Sequence, residues 1–181
     1  MLKTLIPLLA FSICAVAQEN PLSGAIKAEY GIAKGLILRS ADKVPEALYG
    51  FKPTDDVRSF AQVIGHVADA QYGFCSAAMG EKSPATGSVE KTKTSKADLI
   101  AGLKEAFAYC DKAYDSTTDT NAAQAVKFFG NNTNRLGVLA FSNMHDMEHY
   151  GNLVTYMRLK NIVPPSSEPR SQTPPPSSEK K

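Results

Sequence analysis

The sequence predicts an all-α protein, a four-helix bundle with a long connection between its third and fourth helices. Three observations carry that prediction. Apolar residues recur at spacings of three and four nearly throughout, with no convincing alternating run. Two capping-box pairs, Ser59 with Gln62 and Ser95 with Asp98, mark helix starts. Helix stops stand at Pro45, at Gly80 and at the Pro164-Pro165 pair.

The first segment places Leu22, Ile26, Tyr30, Ala33 and Ile37 on one stripe, weakened by Gly31 and Gly35, and should end before Pro45. The second, SFAQVIGHVADAQYGFCSAAMG, runs from Ser59 to Gly80, and Pro53 closes off any earlier helix. Phe60, Val63, Ile64, Val67, Phe74 and Ala78 share one face of it. His66 sits at a border of that face beside Gln62, Asp69 and Ala70, and Cys75 falls at the opposite border. The two edges must therefore face different neighbours.

A polar connection, EKSPATGSVEKTKT, leads to the third helix, whose buried stripe is Leu99, Leu103, Ala106, Phe107, Cys110 and Tyr114. Cys110 can meet Cys75 if the second and third helices are neighbours. The stretch DSTTDTNAAQAVKFFGNN is too long for a bare turn and should cross the end of the bundle, pinned by Phe128 and Phe129. A fourth helix then runs from Thr133 or Asn134 to Lys160.

Both ends of the chain read as lying outside this domain. MLKTLIPLLAFSICAVAQEN has a basic start at Lys3, an apolar run from Leu5 to Val16 and a small-x-small site at Ala15-Val16-Ala17. That is the pattern of a secretory signal spanning residues 1–17, with an apolar run too short to cross a bilayer. Cys14 offers the alternative of lipid attachment, but Ile13 stands where a small residue would be wanted. From Val163 the chain is mostly Pro, Ser and charge, the composition of a disordered tail covering residues 163–181. Residues 20–162 remain, enough for one domain with a single core.

The leader places the protein in the periplasm or outside the cell, with no membrane span after cleavage. In such a compartment Cys75 and Cys110 form either a disulfide or two buried thiols, and the sequence leaves both open. With 20 basic and 18 acidic residues, and the basic ones scattered, there is no electrostatic footprint for nucleic acid. A small-molecule substrate is the expected partner, with a second copy of the chain, in a homodimer, kept open.

The three histidines carry the chemistry. His145 and His149 are four apart on the fourth helix, so their rings stand one turn apart on the face shared with Val138, Ser142, Leu153 and Tyr156. Burying an unsatisfied imidazole nitrogen costs about 1 to 3 kcal/mol. A divalent metal satisfies both rings at once, and His66, on the border of an apolar face, is the third ligand available. Three histidines from two helices leave coordination positions for water or substrate, as in catalytic metal sites. A pair of satisfied core histidines is the competing reading.

HDMEH also fits H-x-x-E-H, the inverted zinc-peptidase pattern with Glu148 as general base. That pattern needs an acidic ligand on a downstream helix, and Glu168 and Glu179 fall beyond the last one. Glu148, Asp69 and Gln62 are instead candidates to support the histidine rings from behind.

The stretches VRSFAQVIGHVADAQYGFCSAAMGE and HDMEHYGNLVTYMRLKNIVPP, with their histidine and H-x-x-x-H, resemble the second and last helices of the DinB-like (YfiT-like) superfamily of small four-helix-bundle metalloproteins. The resemblance covers residues 20 to 166. It implies a divalent ion, zinc, nickel, iron or manganese, held by His66, His145 and His149. Relatives implied by it include bacillithiol S-transferases and mycothiol-dependent isomerases, in which the metal activates a cofactor thiolate. Those thiols are cytoplasmic, whereas this chain carries an export pattern, so the departure falls on the reaction rather than on the site.

Overall fold

The computed structural model describes residues 19–169. The predicted signal and the tail beyond residue 169 lie outside the described residues. Five helices are present among those described: α1 (Pro21–Lys43), α2 (Phe60–Met79), α3 (Val89–Thr92), α4 (Lys96–Asp115) and α5 (Arg135–Leu159). A hairpin, β1 (Ala125–Phe128) with β2 (Asn131–Asn134), joins α4 to α5.

The four long helices form the bundle. α2 packs against α4 and α5, and α1 packs against the same two helices from the other side, so α1 and α2 lie diagonally opposed. This arrangement decides what each edge of α2 meets. Its His66 edge faces α5, while its Cys75 edge faces α4, where Cys75 and Cys110 are joined as a disulfide with Cα atoms 5.3 Å apart. The core between the helices contains Ile37, Phe60, Ile64, Leu99, Leu103, Phe107, Leu139 and Leu153, all essentially inaccessible to water.

Local signals set the helix ends. Ser59 and Gln62 close the predicted capping box, with the Ser59 hydroxyl accepting from Gln62 N and Gln62 Oε1 accepting from Ser59 N. Gly80 ends α2 in the left-handed region at φ 71°. The Ser95 hydroxyl caps α4 through Asp98 N, and the Asn134 side chain caps α5 through Gly137 N.

Four details differ from the sequence reading. Leu22 is 63% exposed, so the buried stripe of α1 begins after it, with Ser23 turned inward. The reason is a distant cap: the Asp119 carboxylate accepts from Leu22 N, Ser23 N and the Ser23 hydroxyl, pulling that face toward the α4–β1 connection.

The crossover is partly β. Phe129 (φ 48°) and Gly130 (φ 79°) form a two-residue turn with both residues left-handed, which matches hairpin twist. Asn131–Asn134 is wholly polar, so β2 has no alternating signature. Phe128 does pin the hairpin, meeting Phe74 and Phe141 edge-on, but Phe129 is 72% exposed.

The polar connection after α2 contains α3. Glu90 lies directly on Gly65 and Val89 on Gly102, close enough that a Cβ at residue 65 would stand 2.4 Å from Glu90 Cα. The last difference is at Val163, where the chain stays ordered instead of leaving the bundle. Pro165 is buried, Ser166 pairs with the Tyr150 hydroxyl in both directions, and Glu168 binds Lys43.

Candidate metal centre

His66 projects from the middle of α2 toward α5, and His145 and His149 project back one turn apart. The rings converge through the same atom. His145 Nε2 stands 3.2 Å from His66 Nε2 and 3.1 Å from His149 Nε2. The ring centroids of His66 and His149 are 4.7 Å apart and nearly perpendicular.

That spacing suits a shared cation. With metal–nitrogen bonds of about 2.0–2.1 Å, neighbouring ligands of a tetrahedral site stand about 3.3–3.4 Å apart. Protons alone serve the cluster poorly, because His145 Nε2 faces two other ring nitrogens and can donate only one hydrogen. The donor set is also held in its ligand form. Burial, reinforced by the neighbouring imidazoles, pushes His145 down to about 3 and His149 down to about 4. Burial and the Arg58 guanidinium lower His66 too. All three rings are therefore neutral at pH 7, with lone pairs to give.

Convergence through Nε2 turns every Nδ1 outward, and each meets a different environment. His66 Nδ1 is 3.6 Å from Glu90 Oε2. His149 Nδ1 is 3.3 Å from Asn152 Nδ2, and the amide turned end for end would present Oδ1 to accept the ring N–H. His145 Nδ1 is buried without a hydrogen-bond partner among the described residues, and its ring is placed by edge-on packing on Phe74, 5.0 Å between centroids.

The residues predicted to support the rings are engaged elsewhere. Gln62 closes the α2 capping box. Asp69 accepts from the Ser88 hydroxyl (2.6 Å), Val89 N (2.6 Å) and Glu90 N (3.2 Å), and so anchors α3 instead of a ring. Glu148 is exposed and makes no hydrogen bond to an imidazole. Glu90 and Asn152 take the places expected of them. The sequence did hold one pointer to Glu90: a glycine inside α2, beside His66, marks a close backbone approach.

A cleft of about 620 Å³ opens beside His149, with walls that include Arg58, Gln62, Glu90, Glu148, Asn152 and Tyr156. Arg58 bridges wall and site, donating from Nε to Glu90 Oε1 at 3.0 Å while its carbonyl accepts from the Tyr156 hydroxyl. Behind the histidines lies a second polar element that the sequence did not announce. Asp146, fully buried, accepts from Gln71 Nε2 at 2.6 Å, and burial raises its carboxyl well above the usual range.

Known structures share this architecture. A DinB-like protein from Bacillus cereus superposes with a TM-score of 0.68 at 15% identity, covering 78% of this chain and 95% of that one. A DinB-like protein from Bacillus subtilis gives 0.65 at 20% identity, covering 81% and 99%. A mycothiol-dependent maleylpyruvate isomerase gives 0.58 at 18% identity, covering 74% of this chain and 60% of the isomerase. Identities this low speak for the fold alone. Comparison with curated proteins finds no match. The DinB superfamily model, however, matches residues 33–153, a span that includes all three histidines and the helices that bring them together. On that match, made over most of the bundle, the chain belongs to the DinB superfamily.

Proposed function

We propose that this chain is an exported divalent-metal protein in which His66, His145 and His149 hold one zinc, nickel, iron or manganese ion, serving a transferase or hydrolase reaction on a small molecule. The observation that carries this reading is the approach of three Nε2 atoms, 3.1 and 3.2 Å about His145. No carboxylate among the described residues completes the set, since the grouping holds three imidazoles only. Coordination positions toward the cleft are then left for water or substrate, which favours chemistry over a purely structural ion. A divalent ion in such a site lowers the pKa of a bound water or thiol and so supplies a nucleophile near neutral pH.

The protein's own groups have separable tasks. The imidazoles bind the ion, Asn152 and Glu90 orient two of them, and Phe74 excludes water behind the third. Arg58 stands in the cleft wall with its terminal nitrogens available to a substrate anion. Export is supported by the leader pattern and by a disulfide, a cross-link suited to an oxidising compartment.

Metal analysis of protein purified from its native compartment, beside a His145→Ala variant, tests the reading. One ion per chain in the wild type and a large loss in the variant are expected. A wild type that carries no metal and takes none up would sink it. An inhibitory anion such as azide that changes the visible spectrum of cobalt-loaded protein would mark an open position. An unchanged spectrum would favour a non-catalytic metal.

A further inference from the structure

We infer that Glu90 positions His66, holding its ring as the Nδ1–H tautomer so that the Nε2 lone pair faces His145 and His149. The inference deepens the metal reading and rests on it only for the affinity consequence given below.

The placement of Glu90 is over-determined. Gly65, the residue before His66, leaves room for the α3 backbone to lie on α2, where a Cβ would stand 2.4 Å from Glu90 Cα and 2.7 Å from Glu90 N. One turn along α2, Asp69 receives the hydroxyl of Ser88 and the backbone N–H groups of Val89 and Glu90. Val89 is seated against Gly102 of α4, 3.0 Å from where a Cβ would be. These contacts fix the Glu90 Cα beside His66 before its side chain does anything.

The carboxylate then has its two oxygens assigned. Oε1 receives Arg58 Nε at 3.0 Å, a charge-assisted bond that fixes the rotation of the group. Oε2 is left facing His66 Nδ1 at 3.6 Å. That is an ion-pair approach, a few tenths of an ångström outside hydrogen-bond length.

A neutral imidazole has one proton to place. A carboxylate acceptor beside Nδ1 draws it there, and leaves the Nε2 lone pair facing His145 Nε2 at 3.2 Å. Glu90 is on the wrong side of the ring to be a ligand itself. It therefore supports the site without closing it, as carboxylates behind metal-bound histidines do.

Nitrogen-correlated NMR of the imidazoles in metal-free protein near neutral pH reads the tautomer directly, and a zinc competition titration reads the affinity. In the wild type His66 is expected as Nδ1–H. Glu90→Leu, which keeps bulk and removes the acceptor, should turn it toward Nε2–H and weaken zinc binding roughly 10–100-fold. Glu90→Gln has one acceptor oxygen for two donors, Arg58 Nε and His66 Nδ1, so it should restore most of both only when Arg58→Leu removes the competing donor. A wild-type His66 found as Nε2–H overturns the inference, as does a tautomer unchanged in Glu90→Leu.

If Glu90→Leu loosens α3, seen as a displaced Val89 amide signal, the Arg58→Leu, Glu90→Gln double variant decides: a ring turned to Nε2–H with α3 still docked overturns the inference, and a ring kept as Nδ1–H supports it. A wild type that binds no zinc, yet whose His66 tautomer depends on Glu90, supports the positioning role while removing the metal reading.

Discussion

Gly65 and Glu90 are in backbone contact: a single methyl group at residue 65 would come within 2.4 Å of Glu90 Cα. The contact places a carboxylate from a four-residue helix behind a histidine that belongs to a different element.

Gly65→Ala is therefore expected to be destabilising, although alanine is the better helix former. The propensity gain is about 1 kcal/mol, while forcing apart two packed backbones costs about 1–3 kcal/mol or more. Urea unfolding should show a net loss of stability. Zinc binding should weaken as well, because α3 carries Glu90 away with it. A variant as stable and as tight as wild type would mean that α3 is not seated on α2.

The Cys75–Cys110 bridge closes a loop between residues 35 apart in sequence. On the chain-entropy account, a cross-link of that span stabilises by about 3–4 kcal/mol. Replacing both cysteines with alanine should lower stability by an amount of that order. It should leave the zinc stoichiometry unchanged, because the bridge lies on the α4 edge of α2 and the histidines on the α5 edge. Alkylation of unfolded, unreduced protein should label neither residue, and labelling of both would refute the bridge.

Gln71 and Asp146 form an isolated buried pair. Gln71→Leu removes the donor and leaves the acid without a partner, at a cost of about 1–3 kcal/mol, the range for an unsatisfied buried polar group. Adding Asp146→Leu should recover much of it, since two apolar groups in place of two polar ones leave nothing unpaired. Denaturant unfolding of the single and double variants checks the sign. A double variant less stable than the sum of the singles would contradict it.

Asp119 caps α1 from a distance, and its carboxyl is held below the usual 3.8, chiefly by the backbone N–H of Ser23. A group whose folded pKa is depressed contributes stability above its unfolded value and loses it as pH falls through the folded one. Asp119→Asn should therefore be less stable than wild type at neutral pH, and the gap should narrow once pH drops below about 3.8. A gap that stays constant into acid would show that the ionised form does not matter there. Faster amide exchange at Leu22 and Ser23 in the variant would place the loss at the α1 start.

Much of the candidate site was legible before any coordinates. His145 and His149 had to share a face because four residues make about one turn. His66 was conspicuous as a polar residue bordering an apolar stripe. The supporting groups were not legible in the same way. Asp69 and Gln62 were plausible by their nearness to His66 on the helix surface, but both satisfy backbone groups at helix starts. Glu90 lies 24 positions from His66 in sequence, on a segment whose composition reads as a connection. Asp146 lies between the two histidines in sequence, and only the packing of α2 against α5 shows that it is buried.

By itself the sequence determined the four long helices, the caps of α2, α4 and α5 and the histidine pair on one turn, since each follows from interactions within a few residues. The tertiary structure decided which helices are neighbours, and so that one edge of α2 meets two histidines while the other meets a cysteine. It also decided that a four-residue helix sits on Gly65, that the crossover folds as a hairpin, and that the chain stays on the bundle past Val163. These are contacts between residues far apart in the chain, formed because opposed apolar faces must be buried together, and no local pattern states which face will find which.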